Sequence, residues 1–303
     1  MSELSLPIIA NPTAAYGKAK AQLEEIVQFF RKQNREPKIA WTRHSRHAIE
    51  IAETLARSGT PCLVSAGGDG TAFEVINGIM RSGRSEEVRL GILPLGTGNS
   101  FLRDFGVQTA LEAAERILNG NTCKVDIGKI SYARDGAARV AYFHNIVGFG
   151  FVAEACRIRH TRFKWFRSYG YHAAFFYLLA RLKTYRIRLR INGAPELTIP
   201  APMLAICNSQ YTGHNMRISP QSRVDDGQWE VLLAEEMSAI ELLKIFLSLP
   251  SGMHLNHPKI RILPASRIDV DMEEMSYAMV DGELLESLPF RIELLPRALE
   301  IFM

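Results

Sequence analysis

The sequence predicts an α/β protein with two domains, and three observations lead to that prediction. Up to about residue 126, short apolar runs alternate with amphipathic stretches of helical period. From residue 127 to about 291, strand-like segments separated by glycine turns predominate. Two of the early apolar runs end in glycine-rich turns. We therefore expect a doubly wound α/β domain over residues 1–126, a mainly antiparallel β domain over residues 127–291, and a ligand-binding cleft between them.

In the first domain, strands and helices are expected to alternate. Strands are predicted at residues 6–11, 37–42, 61–66 and 89–95, and helices at residues 18–34, 46–59, 72–83 and 110–120. In the second domain, strand-like segments occur at residues 138–150, 186–193, 197–209 and 227–236, with helices expected at roughly 166–184 and 238–249. A last strand-like segment at residues 292–303 is expected to return to the first domain.

Composition and charge limit the classes of protein that fit. A chain of 303 residues with 47% apolar content can bury a sizeable core. Its net charge of +4 argues against bulk affinity for nucleic acid. The N-terminus lacks the features of a signal peptide, and the longest apolar run, at residues 173–180, is far shorter than the ~20 residues that cross a bilayer. The four cysteines show no metal-binding spacing. We therefore expect a cytoplasmic protein that does not bind nucleic acid.

The most informative segment is Val-Ser-Ala-Gly-Gly-Asp-Gly-Thr, from Val64 to Thr71, which a helical pattern follows directly. Glycines let the backbone approach a ligand, and the amino end of a helix attracts a phosphate. Beside a polyphosphate, the carboxylate of Asp69 has an obvious use in holding Mg²⁺. The same pattern recurs where an apolar run enters Gly96-Thr97-Gly98-Asn99-Ser100. Two such turns predict a nucleotide-binding site.

Neither turn matches the P-loop or the dinucleotide-binding fingerprint. The segments G-G-D-G-T, E-V-I-N-G and L-G-I-L-P-L-G-T-G-N closely resemble the catalytic domain that diacylglycerol kinases share with sphingosine and ceramide kinases and with soluble bacterial lipid kinases. Further matching residues stand in the order of the family along nearly the whole chain: Asn11-Pro12, Thr42, Asp126, Asn145 with Gly148 and Gly150, Asp226-Gly227, and Asp281-Gly282-Glu283. NAD kinases share the G-G-D-G-T loop, so that loop alone leaves both families open.

The resemblance implies an enzyme that uses ATP and Mg²⁺, and it gives roles to individual residues. Glu283 would be the catalytic base and Asp69 would act with it, while Asp69, Asp126 and Asp226 would hold metal. Ser100 would contact the lipid. The nucleotide would be bound by Asn11, Thr42, Gly67, Gly68, Asp69, Gly70, Thr71, Gly96, Thr97 and Asn99. By pattern alone, Asn11 and Thr42 are more often turn or helix-cap residues, and Asp126 is more often a turn residue. Asp281-Gly282-Glu283 is typical of a hairpin.

The acceptor lipid stays open. Many bacterial members carry an acid directly after G-T-G-N, where this chain has Ser100, so its acidic network is thinner or its lipid differs. Diacylglycerol is the leading acceptor, and a ceramide or sphingoid base is the alternative. An NAD kinase and a lipid-binding module without activity are further alternatives. The chain also departs from the family at Tyr211–Asn215, which lacks the usual glycine run.

A basic aromatic stretch runs from Arg157 to Arg190, with ten Lys or Arg residues and no acid. Aromatic rings and bases together suit the surface of an anionic membrane. A core helix with a solvated basic face explains the same pattern, and single-stranded nucleic acid also accepts such a mixture. We expect peripheral association with the inner face of the membrane, whereas homodimerisation stays open.

Overall fold

The computed structural model describes residues 5–96, 98–163, 165–166, 170–213, 216–273, 277–286 and 289–303. The chain divides into two compact units. The first contains the chain up to Ile127 together with Pro296–Met303, and the second contains Gly128–Leu295. Strands β5 (Thr122–Arg134) and β16 (Phe290–Phe302) each run through a boundary between the units.

The first unit is the α/β domain that the sequence predicts. Its parallel sheet has the strand order β2-β1-β3-β4, and the last residues of β16 lie parallel to β4, with Glu300 beside Arg89. The elements alternate along the chain as β1 (Ser5–Ala10), α1 (Ala19–Lys32), β2 (Glu36–Trp41), α2 (His47–Arg57), β3 (Cys62–Gly67), α3 (Asp69–Ser82), β4 (Arg89–Pro94) and α4 (Ala110–Asn119).

The strand order also explains how the helices are arranged. The chain moves one way from β1 to β2 and the other way from β2 through β3 to β4, and right-handed crossovers then place α1 on one face and α2 and α3 on the other. Helix α2 packs against α3, and α1 contacts α4. A side chain at Gly78 of α3 would overlap the Ile49 carbonyl oxygen and lie 2.6 Å from the Ala52 Cβ, so small residues let these two helices approach closely.

The second unit contains two largely antiparallel sheets. One has the order β12-β11-β10-β7-β14-β15, and the other joins β16, β13, β8 and β9, with the β5–β6 hairpin beside β16. Aromatic contacts connect the sheets: the ring centroids of Phe149 and Phe290 lie 5.8 Å apart, and those of Phe143 and Trp229 lie 5.4 Å apart. Its further elements are β6 (Ala137–Phe143), β7 (Ile146–Gly150), α5 (Phe151–Thr161), α6 (Gly170–Leu179), β8 (Tyr185–Ile191), β9 (Leu197–Ala201), β10 (Met203–Cys207), β11 (Trp229–Ala234), α7 (Ala239–Ser248), β12 (Ile260–Ala265), β13 (Arg267–Met272), β14 (Tyr277–Val280) and β15 (Glu283–Glu286).

The predicted fold class is confirmed, but the helices of the second unit differ from the prediction. Helix α5 was not predicted from the sequence, and helix α6 is shorter than the helix predicted at residues 166–184. Helix α5 begins directly after Gly150, which has a φ of 65°. Because glycine has no side chain to cap the helix, the usual sequence signal of a helix start is missing. The stretch from Arg157 to Arg190 therefore contains the end of α5, all of α6 and most of β8. No described helix has the length and apolar character needed to cross a bilayer.

Candidate active site

The polar residues after β1 and β2 and the first glycine turn lie at one edge of the parallel sheet. Asn11 follows β1, and its backbone N–H donates to the Ala66 carbonyl oxygen of β3 at 3.1 Å. Thr42 follows β2, and its N–H donates to the Ala10 carbonyl oxygen at 2.9 Å. Strands β3 and β4 are paired up to their last residues. The carboxyl edge of this sheet therefore gathers both predicted nucleotide residues and both turns, as is usual for ligand sites in such folds.

The first turn leads directly into a helix. Gly68 is extended (φ −98°, ψ −172°) and caps α3, so Asp69 and Gly70 already belong to its first turn. A side chain at Gly67 would overlap that of Thr71, which is buried. The amino end of α3, with its partial positive charge, thus begins immediately after the strand. This arrangement suits the binding of a phosphate group.

The two glycine turns touch each other. The backbone N–H of Leu95 donates to the Gly67 carbonyl oxygen at 2.8 Å, and a side chain at Gly96 would overlap the Gly68 Cα. Asn99 has a positive φ of 50°, and its side-chain amide donates to the Gly96 carbonyl oxygen at 2.8 Å. In this structure the Asn99 side chain stabilises the second turn. Thr97 lies outside the described residues.

Asp69 connects the two turns electrostatically. The backbone N–H of Ser100 donates to both carboxylate oxygens of Asp69, at 3.0 and 3.2 Å, and the Ser100 hydroxyl lies 3.4 Å from the Oδ2. A side chain at Gly98 would come within 2.6 Å of the same Oδ2. Ser100 is only 1% exposed, so its hydroxyl faces Asp69 in a buried position. Contact of Ser100 with a lipid stays a prediction.

Asp69 suits a Mg²⁺ ion at a phosphate site. Mg²⁺ in such sites keeps several water ligands and takes one or two carboxylates together with substrate phosphates, so a dense cluster of protein ligands is not required. The half-buried carboxylate of Asp69 stands at the amino end of α3, and backbone N–H donation from Ser100 fixes its position. One positioned carboxylate beside a phosphate cradle is what this chemistry needs.

The other two predicted metal ligands have contacts of a different kind. Asp126 is completely buried in the first unit, and its carboxylate accepts the backbone N–H of Arg297 at 2.7 Å, where Arg297 has a φ of 50°. Asp226 is exposed in the second unit and accepts the N–H of Gln228 at 3.1 Å. These contacts stabilise the β16 backbone and a turn, respectively. Binding of metal by either residue stays a prediction.

Metal ions are often held by three or more side chains whose ligand atoms lie close together. Among the described residues, the single group with ligand atoms near enough to share an ion consists of His44, His47 and Glu50. It contains none of the three predicted aspartates. The backbone N–H of Arg43 donates to the His47 Nδ1 at 3.0 Å, so that nitrogen already has a hydrogen-bond partner.

In the second unit, Glu283 and Asp281 flank the hairpin between β14 and β15. Glu283 is exposed at the first position of β15. Asp281 is buried with a φ of 48°, and its carboxylate accepts the N–H groups of His144, Asn145 and Ile146 at 2.9, 3.1 and 2.8 Å. The Nδ1 of His144 lies 2.8 Å from the same carboxylate. Asp281 is therefore the anchor that joins this hairpin to the bend before β7.

Helix α5 supports the same hairpin from another side. The Cys156 thiol donates to the Gly282 carbonyl oxygen at 3.1 Å, and the Tyr171 hydroxyl of α6 lies 4.0 Å from the sulfur. Burial raises the pKa of Cys156 to about 12, so the thiol stays protonated at neutral pH. Glu283 thus stands on a turn that Asp281 and α5 hold in place. No sequence signal connects Cys156 or Tyr171 with this hairpin.

The E-V-I-N-G motif has a structural explanation. The Glu74 carboxylate accepts the backbone N–H groups of Arg46 and Ala48 at 2.8 and 3.2 Å, which caps the amino end of α2. The Asn77 side chain donates to the Phe73 carbonyl oxygen at 2.8 Å. With Gly78 in the close contact between the helices, this motif fixes α3, which carries the phosphate turn, against α2.

Comparison with known proteins agrees with this arrangement. Residues 5–130 match the model of the diacylglycerol kinase catalytic domain, and residues 145–303 match that of the YegS C-terminal NAD kinase beta sandwich-like domain. A diacylglycerol kinase of Staphylococcus carnosus is 27% identical over 97% of this chain and 94% of its own length. A diacylglycerol kinase of Bacillus subtilis is 26% identical over 98% of this chain and 95% of its own length.

Solved structures show the same fold. A diacylglycerol kinase from Bacillus anthracis superposes with a TM-score of 0.73 and 22% identity, covering 100% of this chain and 97% of that one. A yeast NADH kinase in complex with NADH superposes with a TM-score of 0.53 and 13% identity, covering 99% of this chain and 83% of that one. The resemblance drawn from the motifs is confirmed: this chain belongs to the diacylglycerol kinase catalytic-domain family, and it is a lipid kinase.

Proposed function

We propose that the protein transfers the γ-phosphoryl group of ATP to the hydroxyl group of diacylglycerol, with Mg²⁺ bound at Asp69. The observation that carries this proposal is the contact between the two glycine turns, which the Asp69 carboxylate and the Ser100 N–H join at the carboxyl edge of a parallel sheet. The choice of diacylglycerol is supported by relatives named diacylglycerol kinase, which this chain matches over nearly their whole length.

Each part of the site has a role in this proposal. In this proposal the phosphates lie against the backbone of Gly67, Gly68 and Gly96, where the partial positive charge at the amino end of α3 attracts them. The glycines let the turns pack closely, because a Cβ at Gly67 or Gly96 would overlap Thr71 or Gly68. Asn11 and Thr42 contact the remainder of the nucleotide from the same sheet edge. When bound, Mg²⁺ would offset the charge that develops on the phosphate oxygens. Asp69 holds and orients the ion, Asp126 is a second proposed metal ligand, and Asp226 is proposed to hold a structural Mg²⁺ in the second unit.

Glu283 accepts the proton of the lipid hydroxyl. As the hydroxyl oxygen forms its bond to the γ-phosphorus, the bond from phosphorus to the bridging oxygen breaks, ADP leaves, and the proton passes to the Glu283 carboxylate. An exposed carboxylate on a firmly anchored hairpin suits this task, because the acceptor lipid arrives from outside the protein. Asp281 acts through the backbone, as a positioning residue for the hairpin.

The acceptor can be tested directly. The purified protein is incubated with radiolabelled ATP, Mg²⁺ and a mixed lipid extract, and the labelled product is identified by mass spectrometry. We expect phosphatidic acid. Labelled ceramide phosphate or sphingoid phosphate would show that diacylglycerol is the wrong acceptor. A parallel reaction with NAD in place of lipid tests the NAD kinase alternative, and label in NADP would overturn the proposal. A protein that binds lipid but transfers no label would be a module without activity.

We also propose that the protein works at the inner face of an anionic membrane. Trp165 is 84% exposed and Phe166 is 55% exposed between α5 and α6, and bulky aromatic side chains at such positions suit the interface of a bilayer. Lys164, Arg167 and Tyr169, which belong to the same stretch, lie outside the described residues. Replacing Trp165 by Ala should reduce vesicle binding even at high salt, because salt screens the charges and leaves apolar insertion intact. Unchanged binding would exclude Trp165 from the interface. Homodimerisation, which the sequence leaves open, can be checked by light scattering.

A further inference from the structure

A pocket with a volume of about 190 Å³ lies in the second unit, between α5, α6 and the start of β8. We propose that this pocket binds the phosphate group of an anionic glycerophospholipid in the membrane surface, at a place separate from the lipid that is phosphorylated. This proposal rests on the proposed function at a membrane surface, and it names the site at which the protein would bind that surface. The polar side chains on which it rests are Glu154, Arg157, Arg162, Tyr177, Arg181 and Lys183.

The charges in the pocket favour an anion. Glu154 is the one acid among the described residues that line it, and this carboxylate is already occupied. It accepts from the Arg157 Nη2 at 2.8 Å and from the Tyr277 hydroxyl at 2.5 Å. The ion pair between Glu154 and Arg157 leaves the positive charges of Arg162, Arg181 and Lys183 without an acid among the described lining residues. A phosphate group supplies the negative charge that three such side chains can share.

The two guanidinium groups are positioned before any ligand binds. The guanidinium carbon of Arg162 lies 5.1 Å from the centroid of the Tyr177 ring, and that of Arg181 lies 4.3 Å from the same centroid. The Arg162 Nη1 also donates to the Tyr177 hydroxyl at 2.9 Å. Stacking on one ring limits the motion of both side chains, so less conformational entropy is lost when they bind a ligand. Planar guanidinium groups are well suited to phosphate oxygens.

A continuous row of aromatic rings points to a lipid as the source of the phosphate. The Phe163 ring contacts Tyr177, which lines the pocket, at 6.1 Å between ring centroids. Phe163 also contacts Phe166, at 5.6 Å between ring centroids. Phe166 and the neighbouring Trp165 are exposed. A phosphate in the pocket would therefore lie beside apolar rings at the depth where such rings enter a bilayer. A phosphate compound without an apolar part, such as glycerol phosphate, would gain nothing from these rings.

The pocket shares α5 with the hairpin of the proposed base. Glu154, Arg157 and Ile158 of this helix line the pocket, whereas Cys156 contacts the Gly282 carbonyl oxygen next to Glu283. An α-helix is about 10 Å across, so a headgroup held on one side of α5 brings the membrane surface within roughly that distance of the hairpin. The pocket would thereby hold the enzyme at the surface from which its substrate comes.

The test compares two pairs of substitutions that remove equal charge. The pocket pair is Arg162→Gln with Arg181→Gln, and the control pair is Lys124→Gln with Arg139→Gln, at exposed positions on β5 and β6. Cosedimentation is measured with vesicles of phosphatidylcholine alone and of phosphatidylcholine mixed with phosphatidylglycerol. At about 1 kcal/mol for each basic residue at the surface, the pocket pair should bind the mixed vesicles about 30-fold more weakly than the wild type. The control pair should lose less than about threefold, because neither residue lines the pocket and exposed charges are screened.

A single substitution at an exposed position tests the same proposal with little risk of misfolding. Lys183→Gln changes an exposed side chain and should weaken binding about fivefold. Equal losses in the pocket pair and the control pair would overturn the proposal in favour of diffuse surface charge. The wild type and the pocket pair are also titrated with soluble glycerol phosphate and with a single-stranded oligonucleotide. If the pocket pair abolished the binding of either compound and left vesicle binding intact, the lipid proposal would be overturned. Binding is measured without ATP, and kinase activity on detergent-dispersed lipid is measured separately. A failure of the proposed reaction would appear only in the second measurement.

Discussion

Asp69 has two functions that two substitutions can separate. Its carboxylate accepts the backbone N–H of Ser100, and in the proposed reaction its charge holds Mg²⁺ beside the phosphates. Asp69→Asn removes the charge and keeps an oxygen that can accept the Ser100 N–H. Asp69→Ala removes both. The asparagine variant therefore reports on the chemistry, whereas the alanine variant reports on chemistry and folding together.

The expected magnitudes follow from burial and position. Ser100 is 1% exposed, so in Asp69→Ala its N–H loses a buried acceptor, which costs about 1–3 kcal/mol. Loss of an acid from the first turn of α3 costs about 0.3–1 kcal/mol more. At about 2.1 cal/mol/K of unfolding entropy per residue, the melting temperature of a chain of 303 residues falls by roughly 1.5 °C for each kcal/mol. Asp69→Asn should change stability by less than about 1 kcal/mol, and it should lower turnover about 10²–10³-fold, as the loss of a positioned electrostatic group does.

Two measurements decide the matter. Differential scanning calorimetry gives the melting temperature of both variants, and transfer of radiolabelled phosphate to a dispersed lipid gives their turnover. An Asp69→Asn variant with the stability and the activity of the wild type would refute the placement of the metal at this carboxylate. Loss of stability in both variants to the same extent would show that the charge itself, and not the hydrogen bond to Ser100, stabilises the turns.

Three further predictions concern the second unit. Glu283→Gln should lower turnover strongly with little change in the affinity for ATP, and steady-state kinetics that showed lost ATP binding instead would contradict its role as the base. Asp281→Ala should cost about 3 kcal/mol or more in urea unfolding, because it leaves three buried N–H groups without their acceptor, at about 1–3 kcal/mol each. Burial lowers the pKa of His254, although its contact with the Ile218 carbonyl oxygen opposes this shift. As the pH falls, His254 is therefore protonated in the unfolded chain before it is protonated in the folded protein. The free energy of unfolding should decrease as the pH falls below about 6.5, and this decrease should be less steep in His254→Gln.

The α/β unit was largely predictable because each of its elements has a local signal. Apolar runs, helical periodicity and glycine punctuation gave all eight of the strands and helices before β5, with ends close to those observed. The start of α3 is the informative difference. The prediction began it at Ala72, whereas the helix begins at Asp69, because Gly68 caps it in an extended conformation. The phosphate turn is therefore also the first turn of the helix.

The second unit was less predictable because its important contacts are remote in sequence. Asp281 meets the N–H groups of His144, Asn145 and Ile146 across more than 130 residues, and a D-G-E hairpin gives no local sign of such a partner. The pocket on α5 depends in the same way on Tyr177, which brings two arginines together from different elements. Sequence patterns identified the basic aromatic character of this region, but they could not show that it encloses a pocket.

Ser100 alters how the proposed phosphate site would depend on its proposed cation. An acid at this position would set a second carboxylate against Asp69, and two charges 4 Å apart repel by about 4 kcal/mol at the effective dielectric constant near a protein surface. Such a pair needs a bound cation or a proton on one of the two carboxyl groups. In this chain the Ser100 N–H donates to Asp69, and the Ser100 hydroxyl lies close to it, so the carboxylate is stabilised by the protein itself. The contact between the two glycine turns can thus form without metal, which leaves Mg²⁺ to act on the phosphates during transfer.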